Sequence, residues 1–285
     1  MVNPESRRCA VLGSPIAHSL SPVLHRSAYA ELGLRSWRYD AFEVGEDGLA
    51  GFVAGLGEEW RGLSLTMPLK RVAIGLCDTV SELATLVGAV NTLVIDDERR
   101  VHGTNTDVPG LIAALRERDV EEVETALLLG VGATACSALA GLAELGAKTA
   151  TAIARDPSRA GELARLADEL KVDLRIVSLE TASSGAGLRS DVLVSTVPDA
   201  AAAPLADSLV NQVDVVFDAL YEPWPTRLGA TAEGAGCVVV GGLDLLVHQA
   251  ALQVELMTEH VPAPLAVMRA AGETALSERK SAAEA

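Results

Sequence analysis

This sequence predicts a two-domain α/β protein, and three observations carry the prediction. A continuous apolar strand, Thr125-Ala126-Leu127-Leu128-Leu129, runs into Gly130-Val131-Gly132 and then into a helix. Strands and helices alternate with short loops from there to about residue 240, the pattern of a doubly wound parallel sheet. Before residue 108 the pattern differs: half-buried strands, proline-rich loops and a charged hairpin precede the polar stretch His102–Gly110, where the domain boundary is placed.

In chain order, Cys9–Gly13 reads as a first strand ending in a glycine turn. Ser21 can cap a helix whose first position is Pro22, with Val23, Leu24, Ala28 and Leu32 as its apolar face. Arg38–Val44 is a second strand, Asp47–Leu56 a helix, and Leu63–Thr66 a third strand from its alternating apolar residues. Short helices are expected from Pro68 and from Ser81. A strand over Asn91–Ile95 leads into the charged hairpin Asp96–Arg100, and a helix covers Leu111–Arg118. In the second half, strands are expected at Thr125–Leu129, Thr149–Ala154, Leu174–Val177, Val192–Thr196, Val213–Leu220 and Cys237–Val240, with a helix at Ser158–Leu170. An apolar helix over Leu243–Met257 carries His248 and Gln249, and a last helix near Leu265 is expected to fray from Ser277 onward.

Composition narrows the function classes. Hydrophobic residues make up 49% but aromatics only 3%, so the core must be built from Ala, Val and Leu. A net charge of −16 argues against nucleic acid or anionic membrane as a partner. No run of 18 apolar residues suggests a membrane span, and Met1–Arg8 lacks the apolar stretch of a signal peptide. The cysteines at 9, 77, 136 and 237 form no CxxC pair and read as free thiols, so a cytoplasmic protein is expected. No His, Cys and carboxylate cluster has ligand spacing, so no metal is expected.

Two stretches point to chemistry. In Ser64-Leu65-Thr66-Met67-Pro68-Leu69-Lys70 a lysine stands just past the carboxyl end of a strand, where open α/β sheets bind ligands. Gly130 and Gly132, followed by the small residues Ala133, Thr134 and Ala135, follow a buried strand and open a helix. That context lets the backbone approach a pyrophosphate at the positive helix end. The plainer alternative is a tight turn holding nothing. At the end of the next strand, Arg155 and Arg159 offer forked donors for the 2′-phosphate of NADP, while Asp156 is the residue type that favours NAD.

These segments resemble the shikimate dehydrogenase family. Gly13-Ser14-Pro15-Ile16-Ala17-His18-Ser19-Leu20-Ser21-Pro22 is similar to its first signature, and Ser64–Lys70 to its catalytic-lysine segment. Gly88–Leu93, Gly103–Asp107, Tyr221–Thr226 and Gly242–Gln249 resemble four later motifs, in the same order. The resemblance implies an N-terminal α/β substrate-binding domain, residues 1–108 rejoined by helices in 243–285, and a Rossmann-like nucleotide-binding domain at 109–242. It implies NADP-linked interconversion of 3-dehydroshikimate and shikimate by a monomer or homodimer, with Lys70 and Asp107 as the catalytic pair. Ser19 and Ser21 would hold the substrate carboxylate. Thr66, Asn91, Asp107 and Gln249 would bind ring hydroxyls, and Tyr221 would line the pocket. Two departures stand out: Ser64 where asparagine is commoner, and Ala154-Arg155-Asp156 where Asn-Arg-Thr is usual.

The chemistry can also be argued from the residues. Moving a hydride to a ketone requires an acid for the oxygen, and the reverse a base, roles a lysine fills. Rival readings are an NAD-dependent quinate/shikimate dehydrogenase, an aminoshikimate dehydrogenase, and a non-catalytic nucleotide-binding regulator.

Overall fold

The computed structural model describes residues 6–184 and 187–284 and divides the chain into two compact units. The first comprises Met1–Thr106 and Leu246–Ala285, the second Asp107–Leu245.

The first unit is built on a six-stranded mixed sheet. Its elements are β1 (Arg7–Gly13), α1 (Ser21–Glu31), β2 (Trp37–Glu43), α2 (Glu46–Ala54), β3 (Trp60–Leu65), β4 (Thr79–Val80), α3 (Glu82–Val87), β5 (Thr92–Ile95) and β6 (Val101–Thr104). The strand order is β2-β1-β3-β5-β6-β4, with β1 parallel to β2 and β3, and β5 antiparallel to β3 and β6. Leu12, Leu63, Leu65, Leu69 and Leu93 are almost fully buried in one cluster, so leucine does fill the core, with Phe42, Phe52 and Trp60 packed together at one side.

Several expectations are corrected here. The segment after Pro68 is a run of turns followed by a 3₁₀ helix over Val72–Leu76, not an α-helix from Pro68. The reason is in the hydrogen bonds: Leu69 N–H closes a turn onto Thr66 O at 2.8 Å, and Lys70 O is taken at 2.7 Å by Val90 N–H from another segment. Ser21 does not cap α1. It is the helix's first residue, and Ser19 Oγ instead accepts from Ser21 N–H at 3.3 Å. Part of the expected polar stretch at 102–110 is strand β6, paired antiparallel with β5, and a Cβ at Gly103 would collide with Cys77 Sγ and crowd Val90.

The second unit runs through α4 (Asp107–Arg116), β7 (Thr125–Leu129), α5 (Ala133–Glu144), β8 (Thr149–Ala154), α6 (Gly161–Leu170), β9 (Asp173–Ser178), α7 (Leu179–Ser183), β10 (Ser190–Ser195), α8 (Asp199–Ala202), α9 (Ala206–Val210), β11 (Val213–Asp218), α10 (Arg227–Gly234) and β12 (Val238–Val240). The helix expected from Ser158 is split into a 3₁₀ turn, Pro157–Ala160, and α6. All six strands are parallel in the order β12-β11-β10-β7-β8-β9, the dinucleotide-binding arrangement whose switch point lies between β7 and β10. Strands buried on both faces read as unbroken apolar runs, which is why β7 was legible.

Two C-terminal helices follow, α11 (Gly242–Thr258) and α12 (Leu265–Glu284). Most of α11 lies in the first unit, seated against the sheet at Gly62, where a side chain would strike Met257 and Leu93 O. The fray expected from Ser277 is not found. α12 stays helical to Glu284 because it packs along α1, and Arg279 Nη1 donates to His18 O at 2.9 Å.

Candidate active site and nucleotide site

In the first unit, four segments place the polar residues singled out above. Lys70, half-buried, sits in the turn after β3. Thr66, also half-buried, directly follows β3, with its N–H bonded to Leu12 O at 2.9 Å. Ser19 and Ser21 occupy the loop and first turn of α1, and Ser21 is buried.

Asn91 and Gln249 come together although 158 residues separate them. Asn91 Oδ1 accepts from Thr106 N–H at 2.8 Å, Asn91 Nδ2 donates to Thr106 Oγ1 at 2.9 Å, and Gln249 Oε1 lies 3.5 Å from Asn91 Nδ2. Gln249 Nε2 donates to Leu246 O at 3.0 Å, within α11. Buried polar groups must be paired, and this cluster pairs them across three segments. Sequence reasoning missed five of its members. Tyr39 donates to Ser64 Oγ at 2.6 Å, Ser64 to Gln253 Oε1 at 2.7 Å, Gln253 Nε2 to Thr92 Oγ1 at 2.9 Å, and Thr92 to Asn91 Oδ1 at 2.8 Å. Thr106 completes the set. The available signal was the four-residue spacing of Gln249 and Gln253, which puts both on one helix face.

His25 stacks on Tyr39 with centroids 3.8 Å apart and bonds Ser21 O through Nδ1 at 2.9 Å. It is fully buried, and burial pushes its pKa down to about 4. The ring is therefore neutral at physiological pH and acts as a packing piece behind the serine loop.

In the second unit, Asp107 opens α4, buried and in the first turn, where a carboxylate complements the helix dipole. Tyr221 stands half-buried in the turn after β11. That turn is pinned by Thr226, whose hydroxyl donates to Asp218 Oδ2 at 2.7 Å and accepts from Gly229 N–H at 2.9 Å, capping α10. Burial raises the Asp218 carboxyl above its ordinary range, against the pull of Thr226 and Leu220 N–H.

The nucleotide loop has the geometry its sequence suggests. Gly130 has φ +113°, and a side chain there would collide with Thr196 Oγ1 from the loop after β10. Gly132 precedes α5 and faces open space, with no side chain capping the helix. The positive end of α5, at Ala133, Thr134 and Ala135, thus opens beside the switch point of the sheet. These features fit a pyrophosphate. At the end of β8, Arg155 and Arg159 are exposed, while Asp156 turns onto its own chain. Asp156 Oδ1 accepts from Ser158 Oγ at 2.6 Å and Ser158 N–H at 3.1 Å, which lowers the carboxyl's pKa and makes it the cap of the 3₁₀ turn. Asp156 is so engaged through Oδ1 in a local turn, with the two exposed arginines on either side of it in sequence. Among the described residues, no group of three His, Cys, Asp or Glu could hold a metal, and no helix is long and apolar enough to cross a membrane.

Comparison with known proteins supplies the context. Residues 11–93 match the family described as "Shikimate dehydrogenase substrate binding domain", and residues 242–271 match "Shikimate 5'-dehydrogenase C-terminal domain". A shikimate dehydrogenase (NADP(+)) of Thermus thermophilus is 37% identical over 264 residues, covering 93% of this chain and 97% of its own. The crystal structure of Mycobacterium tuberculosis shikimate dehydrogenase superposes with a TM-score of 0.84 at 41% identity, covering 94% of this chain and 99% of its own. A Thermus thermophilus enzyme crystallised with NADP(H) and shikimate gives 0.79 at 32% identity, covering 95% of this chain and 100% of its own.

Proposed function

The chain belongs to the shikimate dehydrogenase family, and from that premise we propose that it reduces 3-dehydroshikimate reversibly to shikimate with NADP(H). The observation that carries this is the convergence of Asn91, Thr106 and Gln249, from three parts of the chain, into one buried polar cluster. It supports a site built to read ring hydroxyls, where a missing hydroxyl leaves buried groups unpaired.

Lys70 is assigned the proton transfer: it donates to the ketone oxygen during reduction and accepts from the hydroxyl during oxidation. Ser19 and Ser21 are assigned the substrate carboxylate. Thr66, Asn91, Asp107 and Gln249 are assigned ring hydroxyls, with Asp107 completing the catalytic pair and Tyr221 lining the pocket. NADPH, when bound, supplies the hydride. Gly130, Gly132 and the amides of Ala133, Thr134 and Ala135 would hold its pyrophosphate, and Arg155 and Arg159 its 2′-phosphate. The four cysteines are free thiols, in keeping with a cytoplasmic enzyme.

The test is a set of initial oxidation rates on shikimate and quinate, each with NADP+ and NAD+. A preference of at least about 10-fold in kcat/KM, about 1.4 kcal/mol, for shikimate with NADP+ is expected. Preference for NAD+ or for quinate overturns the reading. No turnover with any pair favours an aminoshikimate dehydrogenase or a non-catalytic regulator.

A further inference from the structure

Glycine inside a strand weakens it and marks a place where another group comes close. β1 ends on Gly13, paired with Glu43 of β2, and its φ lies outside the left-handed region, so the backbone itself does not require glycine. The space beside it does. A Cβ at Gly13 would overlap the Thr66 methyl, Cγ2, and would stand 2.9 Å from Met67 O and 3.4 Å from Ile16 Cδ1. Thr66 is not free to retreat as a unit, because its N–H is held by Leu12 O at 2.9 Å and its O accepts from Leu69 N–H at 2.8 Å. Ser14 N–H, next to Gly13, donates to Met67 O at 2.9 Å and fixes the two segments against each other.

The Thr66 methyl is therefore seated in a slot that only glycine leaves open. Threonine is stiff at χ1 because two heavy atoms branch from its Cβ. Seating the methyl selects one staggered rotamer, and the direction of the hydroxyl, the other branch, follows from it. We infer that Gly13 is a positioning residue for the substrate, acting through Thr66: it seats the methyl so that the hydroxyl is already aimed when it meets the ring hydroxyl assigned to it. A side chain at position 13 turns Thr66 to another rotamer and takes the hydroxyl with it. The inference deepens the proposed action on shikimate and rests on that reading.

The test is a cycle of wild type, Gly13→Ala, Thr66→Ser and the double variant. Thr66→Ser removes the atom that the new Cβ would strike and keeps the hydroxyl. For each protein, kcat and KM for shikimate, KM for NADP+ and the melting temperature are measured. Gly13→Ala is expected to raise KM for shikimate by about 10-fold, the effect of one misdirected hydrogen bond, and to leave KM for NADP+ unchanged. Thr66→Ser, whose hydroxyl is free to rotate, should raise KM for shikimate by about 3-fold. The double variant should match Thr66→Ser rather than the product of the two single effects, because the atom that the Cβ displaces is gone.

A merely structural role for Gly13 would lower the melting temperature and the amount of active enzyme, hence kcat, with KM for shikimate unmoved; that result overturns the inference. So does a double variant in which the two effects on KM multiply, since the Cβ would then act on the Met67 carbonyl and not on the Thr66 methyl. If Gly13→Ala fails to fold, the double variant decides: folding with the KM of Thr66→Ser supports the slot, and failure of both overturns it. If the wild type does not oxidise shikimate, the functional proposal falls, and the four melting temperatures still judge the slot. A loss in Gly13→Ala that Thr66→Ser relieves supports the seated methyl, and additive losses overturn it.

Discussion

Replacing His25 by phenylalanine should flatten the stability of the first unit between pH 7 and pH 5. His25 is fully buried, stacked on Tyr39, with Tyr29 edge-on at 6.3 Å and Nε2 left without a partner. Its folded pKa is pushed by burial down to about 4 from the ordinary value of 6.5, so the unfolded chain binds a proton that the folded chain refuses. Stability from this group is complete well above pH 6.5 and is lost as pH falls towards 4. Linkage with those two values gives a loss of about 2 kcal/mol between pH 7 and pH 5, approaching about 3 kcal/mol below pH 4. Phenylalanine keeps the stack and removes the titration. The assay is urea unfolding followed by tryptophan fluorescence at pH 7 and pH 5, comparing wild type with His25→Phe, because the other histidines and the carboxylates titrate equally in both. The wild type should lose about 2 kcal/mol more than the variant over this interval. Equal losses would refute the reasoning and mean that the buried ring finds a proton acceptor.

Other expectations follow from the two sites. Lys70→Ala should lower kcat by about 10²–10⁴-fold while leaving NADP+ affinity unchanged in a fluorescence titration; near-normal turnover would remove Lys70 from the proton-transfer role. Arg155→Ser with Arg159→Ser should cut the NADP+ over NAD+ preference by at least about 10-fold, the loss of two charge-assisted contacts, read from kcat/KM with each cofactor. Gly130→Ala and Gly132→Ala should behave differently. The first meets Thr196 at φ +113° and should cost about 1–3 kcal/mol in denaturant unfolding. The second projects a methyl into open space, so stability should hold while KM for NADP+ rises.

Much of the second unit was legible because its physics is local. A strand buried on both faces is a run of apolar residues whatever its neighbours are, and a glycine turn between strand and helix is a conformational requirement of that turn. β7, β8 and the loop at Gly130 could be read for that reason. Lys70 was singled out by its place after a strand end, and Ser19, Asn91, Asp107 and Gln249 only by their resemblance to family motifs, since a polar residue in a polar stretch carries no period to read.

The sequence by itself determined the strand–helix alternation, the two-part division, the leucine-rich core and the identities of the reactive side chains. Only the tertiary structure decided what those side chains face. Ser19 rather than Ser21 meets the first turn of α1 because Leu20 takes the flanking conformation. The tail from Ser277 stays helical because α1 lies beside it. Asp156 is withdrawn into a cap by Ser158. Gln253 reaches Ser64 across 189 residues of sequence because Gly62 lets α11 settle onto the sheet. Hydrogen bonds between distant segments depend on which surfaces meet, and that is set by packing of the whole unit rather than by any stretch of chain.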